Sequence, residues 1–139
     1  MAEGTAGAGS PAAGGAGTRE VIEAYWEAAA RRDWAAFTAL VTEDMVYEAP
    51  QTRERVSGRA AYYRFNAEGF PGDWHFAIHR LVADGRHAAT WIEMHDGGEV
   101  YPGVCFFDLD ESGLIARITD FWPTPAQVPA DRAHLAEQY

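Results

Sequence analysis

From Thr18 onward, TREVIEAYWEAAARR places apolar side chains at 21, 22, 25, 26, 28 and 29. That spacing gives an amphipathic helix with one apolar stripe, and Thr18 is placed to cap it. Asp33 precedes DWAAFTALV, where it can cap a second short helix. EDMVYEAP reads as a strand ended by Pro50, and SGRAAYYRFNAEGF returns to helical spacing between Ser57 and Gly69. After PGDW the period changes to two: HFAIHRLV, HAATWIEM, VYPGVCFFDLD and LIARITDFWP, separated by turns at ADG, HDGGE and ESG. Helices first and strands afterwards predict an α+β fold, with three N-terminal helices packed on one face of a curved, mostly antiparallel mixed sheet. A sheet curled round its helices makes a cone-shaped barrel whose wide end is a natural pocket for an apolar ligand.

The domain expected from this pattern spans residues 18–123. Residues 1–17 are almost wholly Gly, Ala, Ser, Thr and Pro, which bury little and lose much entropy on ordering, so they read as a flexible tail. Residues 124–139 read as a proline-interrupted tail ending in a short helix.

Composition narrows the classes of function. With 139 residues there is room for one core. Apolar residues make up 47% of the chain and aromatic residues 13%, including five Trp, so large side chains are available to line a pocket. A formal charge of -10 repels phosphate backbones and anionic membrane surfaces, and argues against a nucleic-acid or membrane partner. The lone Cys105 forms no intrachain disulfide, and no stretch reads as a secretory signal or membrane span, so a cytoplasmic setting is expected.

The candidate chemistry centres on RITDFWPTP, 117–125. In an extended strand Ile118, Asp120 and Trp122 share one face, opposite Thr119 and Phe121. A carboxyl among apolar groups resists ionisation and is suited to proton transfer; the plainer alternative is an aspartate paired with an arginine or exposed at the strand end. Tyr25 on the first helix and Tyr47 on the first strand can aim two phenols at the same space, or serve as core aromatics. Cys105 is expected to point inward with Phe107, as a small buried hydrophobe. Tyr62, Phe65, Asn66, Trp122, Cys105, Phe107 and Ile118 are candidate wall residues, and His75 is a further one unless it faces solvent. His75 and His79 share a parity, but no third ligand stands at convincing spacing, so no metal or other cofactor is expected. Trp91, Glu93 and His95 share a face opposite Thr90, Ile92 and Met94, and a slip of one residue swaps the two sets. If that face points inward, Trp91 lines the pocket and Glu93 forms a carboxyl pair with Asp120. If it points outward, both residues lie in a sheet-mediated dimer contact.

Three stretches, AYWEAAARRDWAAFTALVTEDMVYEAP, SGRAAYYRF and FFDLDESGLIARITDFW, resemble the nuclear transport factor 2-like superfamily. Within it the resemblance is to the SnoaL-like branch of ketosteroid isomerases, polyketide cyclases and limonene epoxide hydrolases. By that resemblance Tyr25 falls where the isomerases place an enolate-binding tyrosine, but their base falls at Ala49 and their second oxyanion donor near Cys105. Steroid isomerisation by that route is therefore not expected. Against the hydrolases, Tyr47 falls on a water-holding tyrosine and Asp120 on the final-strand base. Their middle-strand arginine and aspartate fall on Trp91 and Glu93, and their water-binding asparagine on Ala49. The resemblance thus implies a homodimeric, cofactor-independent acid-base enzyme acting on a small apolar molecule by cyclisation, isomerisation or epoxide-type ring opening. A non-catalytic ligand-binding module and a protein-interaction domain are the rival readings, since one fold hosts many functions.

Overall fold

The computed structural model describes residues 15–139, so most of the expected N-terminal tail lies outside the described residues. Helix α1 (Ala16–Ala30) turns Ile22, Tyr25, Trp26 and Ala29 into the core, as the predicted stripe requires. Thr18 does not cap it. The helix starts at Ala16 after Gly15 (φ 92), and Thr18 is fully buried, donating its hydroxyl to the Gly85 carbonyl at 2.6 Å as a tie to the sheet.

At the other end Asp33 N–H donates to the Ala28 carbonyl (2.9 Å) and Arg32 N–H to the Ala29 carbonyl (3.0 Å), a Schellman closure. Such a closure puts Arg32 at a positive φ of 59, usually a glycine position. Arg32 holds it because its guanidinium stacks 3.5 Å over the Trp74 ring and donates to the Trp74 carbonyl. The Asp33 carboxylate then accepts from Ala36 N–H at 3.0 Å, capping α2 (Trp34–Thr38) as expected from the sequence.

Strand β1 (Val41–Ala49) is followed by a short strand that the sequence pattern does not reveal, β2 (Glu54–Ser57). It folds back antiparallel on β1 through a turn with Arg53 at φ 64, and Ser57 belongs to it rather than to the next helix. Gly58, at φ 94, reverses the chain into α3 (Arg59–Gly69). Four longer strands follow at the predicted places: β3 (His75–Asp84), β4 (His87–Asp96), β5 (Glu99–Leu109) and β6 (Ile115–Phe121). A single 3-10 turn, Ala133–Leu135, occupies the C-terminal segment.

The fold is the expected α+β one. Six strands form one mixed sheet in the order β2-β1-β6-β5-β4-β3, with β1 parallel to β6 and every other pair antiparallel. The sheet is open, with β2 and β3 as its edges, and does not close into a barrel. Its inner face, carrying Met45, Ile92, Cys105, Phe107 and Ile118, packs on the helices as one core. On the opposite face Trp91, Phe106 and Val82 are 47%, 49% and 53% exposed.

One break in the pairing matters for the site. Strand β6 ends opposite Val104, so the part of β5 that contains Pro102 and Gly103 pairs only with β4. Pro102, which has no N–H, is tolerated there because no strand lies on its other side. Asp33→Ala should lower unfolding free energy by about 0.5–2 kcal/mol, read as a shifted urea midpoint at unchanged slope, because it removes the side-chain cap of α2.

Candidate functional site

The alternation of β6 carries Ile118 and Asp120 to the inner face, and Trp122 continues that face just past the strand end. Cys105 stands directly opposite Asp120 in the β5–β6 register, and Tyr47 reaches the same carboxyl from the parallel neighbour β1. Three neutral donors converge on Asp120. The Tyr47 hydroxyl (2.9 Å) and Trp122 Nε1–H (2.8 Å) donate to Oδ2, and the Cys105 thiol (2.6 Å) donates to Oδ1. No cation contacts the carboxyl among the described residues.

Burial pushes the Asp120 pKa above the ordinary aspartate value, and the bonds from Cys105, Trp122 and Tyr47 pull against it without cancelling it. Burial first, then the charge of Asp120, drives the Tyr47 phenol and the Cys105 thiol well above their usual values. Both therefore stay protonated as donors, and Cys105 is not a thiolate nucleophile.

A second polar pair is buried nearby. The hydroxyls of Tyr25 and Tyr62 lie 2.6 Å apart, and burial holds both phenols far above their ordinary pKa. One phenol must donate to the other. The accepting phenol keeps its own proton, for which no partner exists among the described residues.

Both groups border a cavity of about 620 Å³ between α1, α3 and the inner sheet face. Its walls include Tyr25, Tyr47, Tyr62, Phe65 and Trp122, all expected from the sequence. Asn66 also lines it, with its amide donating to the Tyr62 carbonyl at 2.8 Å. Cys105, Phe107 and Ile118 are buried in the adjoining core; of these Cys105 touches the site, through Asp120.

The open question of register resolves outward. Ile92 is fully buried on the inner face, so Trp91, Glu93 and His95 point away from the cavity. Glu93 accepts from His95 Nε2 (2.9 Å) and lies 3.5 Å from His79 Nε2, and no carboxyl pair with Asp120 forms. Trp91 packs on His79 with ring centres 4.9 Å apart, and His75 stacks on His95 at 5.0 Å, so neither lines the cavity.

Several wall residues escape a sequence reading. Trp26, Trp34 and Phe37 look like ordinary helix core, and Phe70 and Trp74 lie in the turn before β3. Trp74 Nε1–H donates to the Phe70 carbonyl at 2.9 Å, and the Arg32 stack fixes the ring from the helix side. Gly103 is the least visible. A Cβ there would lie 2.6 Å from the Trp122 ring, so only glycine lets the indole lie close to β5 and aim its N–H at Asp120.

An α+β sheet with a helix-covered pocket and a last-strand aspartate defines the class, and the sequence comparison agrees. The chain belongs to the SnoaL-like domain family, whose model matches residues 22–118. Among solved structures, a Kribbella flavida protein provisionally assigned as a ketosteroid isomerase is 44% identical, over 88% of this chain and 89% of its own, with a TM-score of 0.83. An NTF2-like protein of unknown function from Burkholderia xenovorans is 24% identical over 87% of this chain and 94% of its own, at TM-score 0.74. An LEH-like epoxide hydrolase of Mycobacterium tuberculosis is 22% identical over 76% and 81%, at TM-score 0.63. The last two show a shared fold. No curated protein matches the chain.

Two consequences are measurable. Gly103→Ala should cost about 1–3 kcal/mol by overpacking and move the Trp122 indole N–H resonance, since the ring must leave its seat; an unmoved resonance would contradict the contact. The second concerns pH. Because folding raises the Asp120 pKa, the native state holds that proton more tightly than the unfolded chain, and stability falls as pH rises from about 4 through the raised value. Relative to Asp120→Asn, the wild type should therefore lose stability progressively over that interval in urea titrations at stepped pH. A difference that stays flat would show that burial does not perturb the carboxyl.

Proposed function

We propose that the protein is a cofactor-independent acid-base enzyme acting on a small, largely apolar organic molecule. One observation carries this reading: a desolvated carboxyl with neutral donors and no cation faces a cavity large enough for a ligand. A carboxyl whose pKa is raised toward working pH exchanges protons efficiently with a bound substrate or water.

Asp120 is the proton acceptor and, after the transfer, the donor. Tyr47, bonded to Oδ2, orients the carboxyl and favours its charged form; Oδ1, bonded to Cys105, keeps further lone-pair capacity. The spare proton of the Tyr25–Tyr62 pair is the natural donor to a carbonyl, enolate or epoxide oxygen, acting in a poorly solvated wall where such a bond is strong. Ala49 lines the cavity without offering a base, so the isomerase route that needs a carboxylate there is not the one supported. Cyclisation, isomerisation through Asp120 and hydrolytic ring opening all use these parts.

The test is turnover on a panel of epoxides and polyketide-like ketones. Asp120→Asn should lose about 10²–10⁴-fold in kcat while ligand affinity stays within a few fold. Tyr47→Phe should keep part of the activity and move the Asp120 limb of the pH profile upward, because a donor that favours the carboxylate is gone. An Asn variant that turns substrate over at nearly the wild-type rate would leave only a binding module.

A further inference from the structure

Apart from its phenols, the ionisable side chains lining the cavity are all carboxyls. Asp120 stands within it, and Glu54 and Asp96 line it from the start of β2 and the end of β4. Among the described residues no lysine, arginine or histidine lines it. Of the arginines elsewhere, Arg32 is engaged on Trp74, Arg59 on the Val41 carbonyl, Arg55 and Arg117 on Glu48, and Arg64 on Glu68, while Arg53 adjoins Glu54 in the turn without lining the cavity. Glu54 accepts only from the Thr52 hydroxyl (2.5 Å), and neither it nor Asp96 has an ion-pair partner among the described residues. Close to half of the lining residues are aromatic, and aromatic faces are negative.

A cleft lined by one sign of charge concentrates its field, and low-dielectric walls strengthen it. An anionic guest would lose its hydration and meet three acids, and a neutral donor such as the spare proton of the Tyr25–Tyr62 pair brings no positive charge to offset them. The indole of Trp122, the thiol of Cys105 and the phenol of Tyr47 are all spent on Asp120. A protonated amine loses hydration too, but it gains carboxylates and ring faces in exchange. Trp74 already carries a cation over its ring, that of Arg32 at 3.5 Å.

We infer that the substrate of this cavity is an organic amine, an apolar body carrying one protonated nitrogen, and that carboxylates and phosphates of the same body are excluded. The inference rests on the reading of the cavity as the substrate site and adds the chemical class of the guest. Glu54 on β2 and Asp96 on β4 supply the negative field that draws the ammonium group in, while the apolar body lies among the rings beside Asp120.

Isothermal titration calorimetry on the full chain with 1-naphthylmethylamine, 1-naphthalenemethanol and 1-naphthoate tests it, since the three share one body and differ in charge. The amine should bind at least about tenfold tighter than the alcohol, and the carboxylate at least about tenfold weaker, a ratio that shrinks as salt rises. In the Glu54→Gln/Asp96→Asn double variant, whose changes lie on exposed residues, the amine-to-alcohol ratio should fall severalfold. A carboxylate that binds as well as the amine, a ratio unchanged in the double variant, or no binding by any of the three overturns the inference. These are binding measurements. An Asp120→Asn variant that kept its turnover would therefore sink the acid-base reading while leaving the order of affinities standing.

Discussion

The structure of the site depends on one balance, the cost of burying the Asp120 carboxyl against the donors that receive it. Three donors of neutral charge recover part of the lost hydration. An arginine in their place would have fixed the negative charge and lowered the pKa. With hydroxyl, indole and thiol instead, desolvation remains the larger effect and the proton stays exchangeable. The arrangement is sensitive to its supports. Trp122 reaches Asp120 only because Gly103 has no side chain, and the part of β5 that holds Gly103 is open on one side because β6 has already ended.

Much of this was legible in the sequence, for physical reasons that differ by element. The period-two run of LIARITDFWP fixes which residues share a face with Asp120, and burial of the apolar Ile118 makes that face the inner one. Asp33 is a strong local signal because a cap is a short-range hydrogen bond. The side of the sheet taken by Trp91 and Glu93 was not legible, since alternation gives parity and not direction. The direction is set by Ile92, which the helices bury completely. Thr18 was misread for a related reason: its hydroxyl is used by Gly85, far away in sequence. Strand β2 is short and polar, and the edge of a sheet asks little of its side chains. Gly103 and the Tyr25–Tyr62 contact depend on packing between separate elements, which no local pattern encodes.

Membership of the SnoaL-like domain family fits a fold that can present very different chemistry from the same pocket. The residues of this chain narrow that range. Ala49 removes one base, Cys105 supplies a thiol donor rather than a second carboxyl, and Glu93 lies on the far side of the sheet with His79 and His95. What remains inside is a single carboxyl, a set of phenols and an aromatic wall with acids around it. Proton transfer in a poorly hydrated hollow is the chemistry such a set performs best.

The most direct measurement is a carbon-13 NMR titration of the Asp120 side-chain carboxyl in the folded protein. The account predicts a midpoint above the ordinary aspartate value of about 4, and a resonance that remains sensitive to a bound guest. A midpoint at or below that value would mean that the three donors outweigh burial, that the group is a fixed charge, and that the proposed proton transfer has no basis.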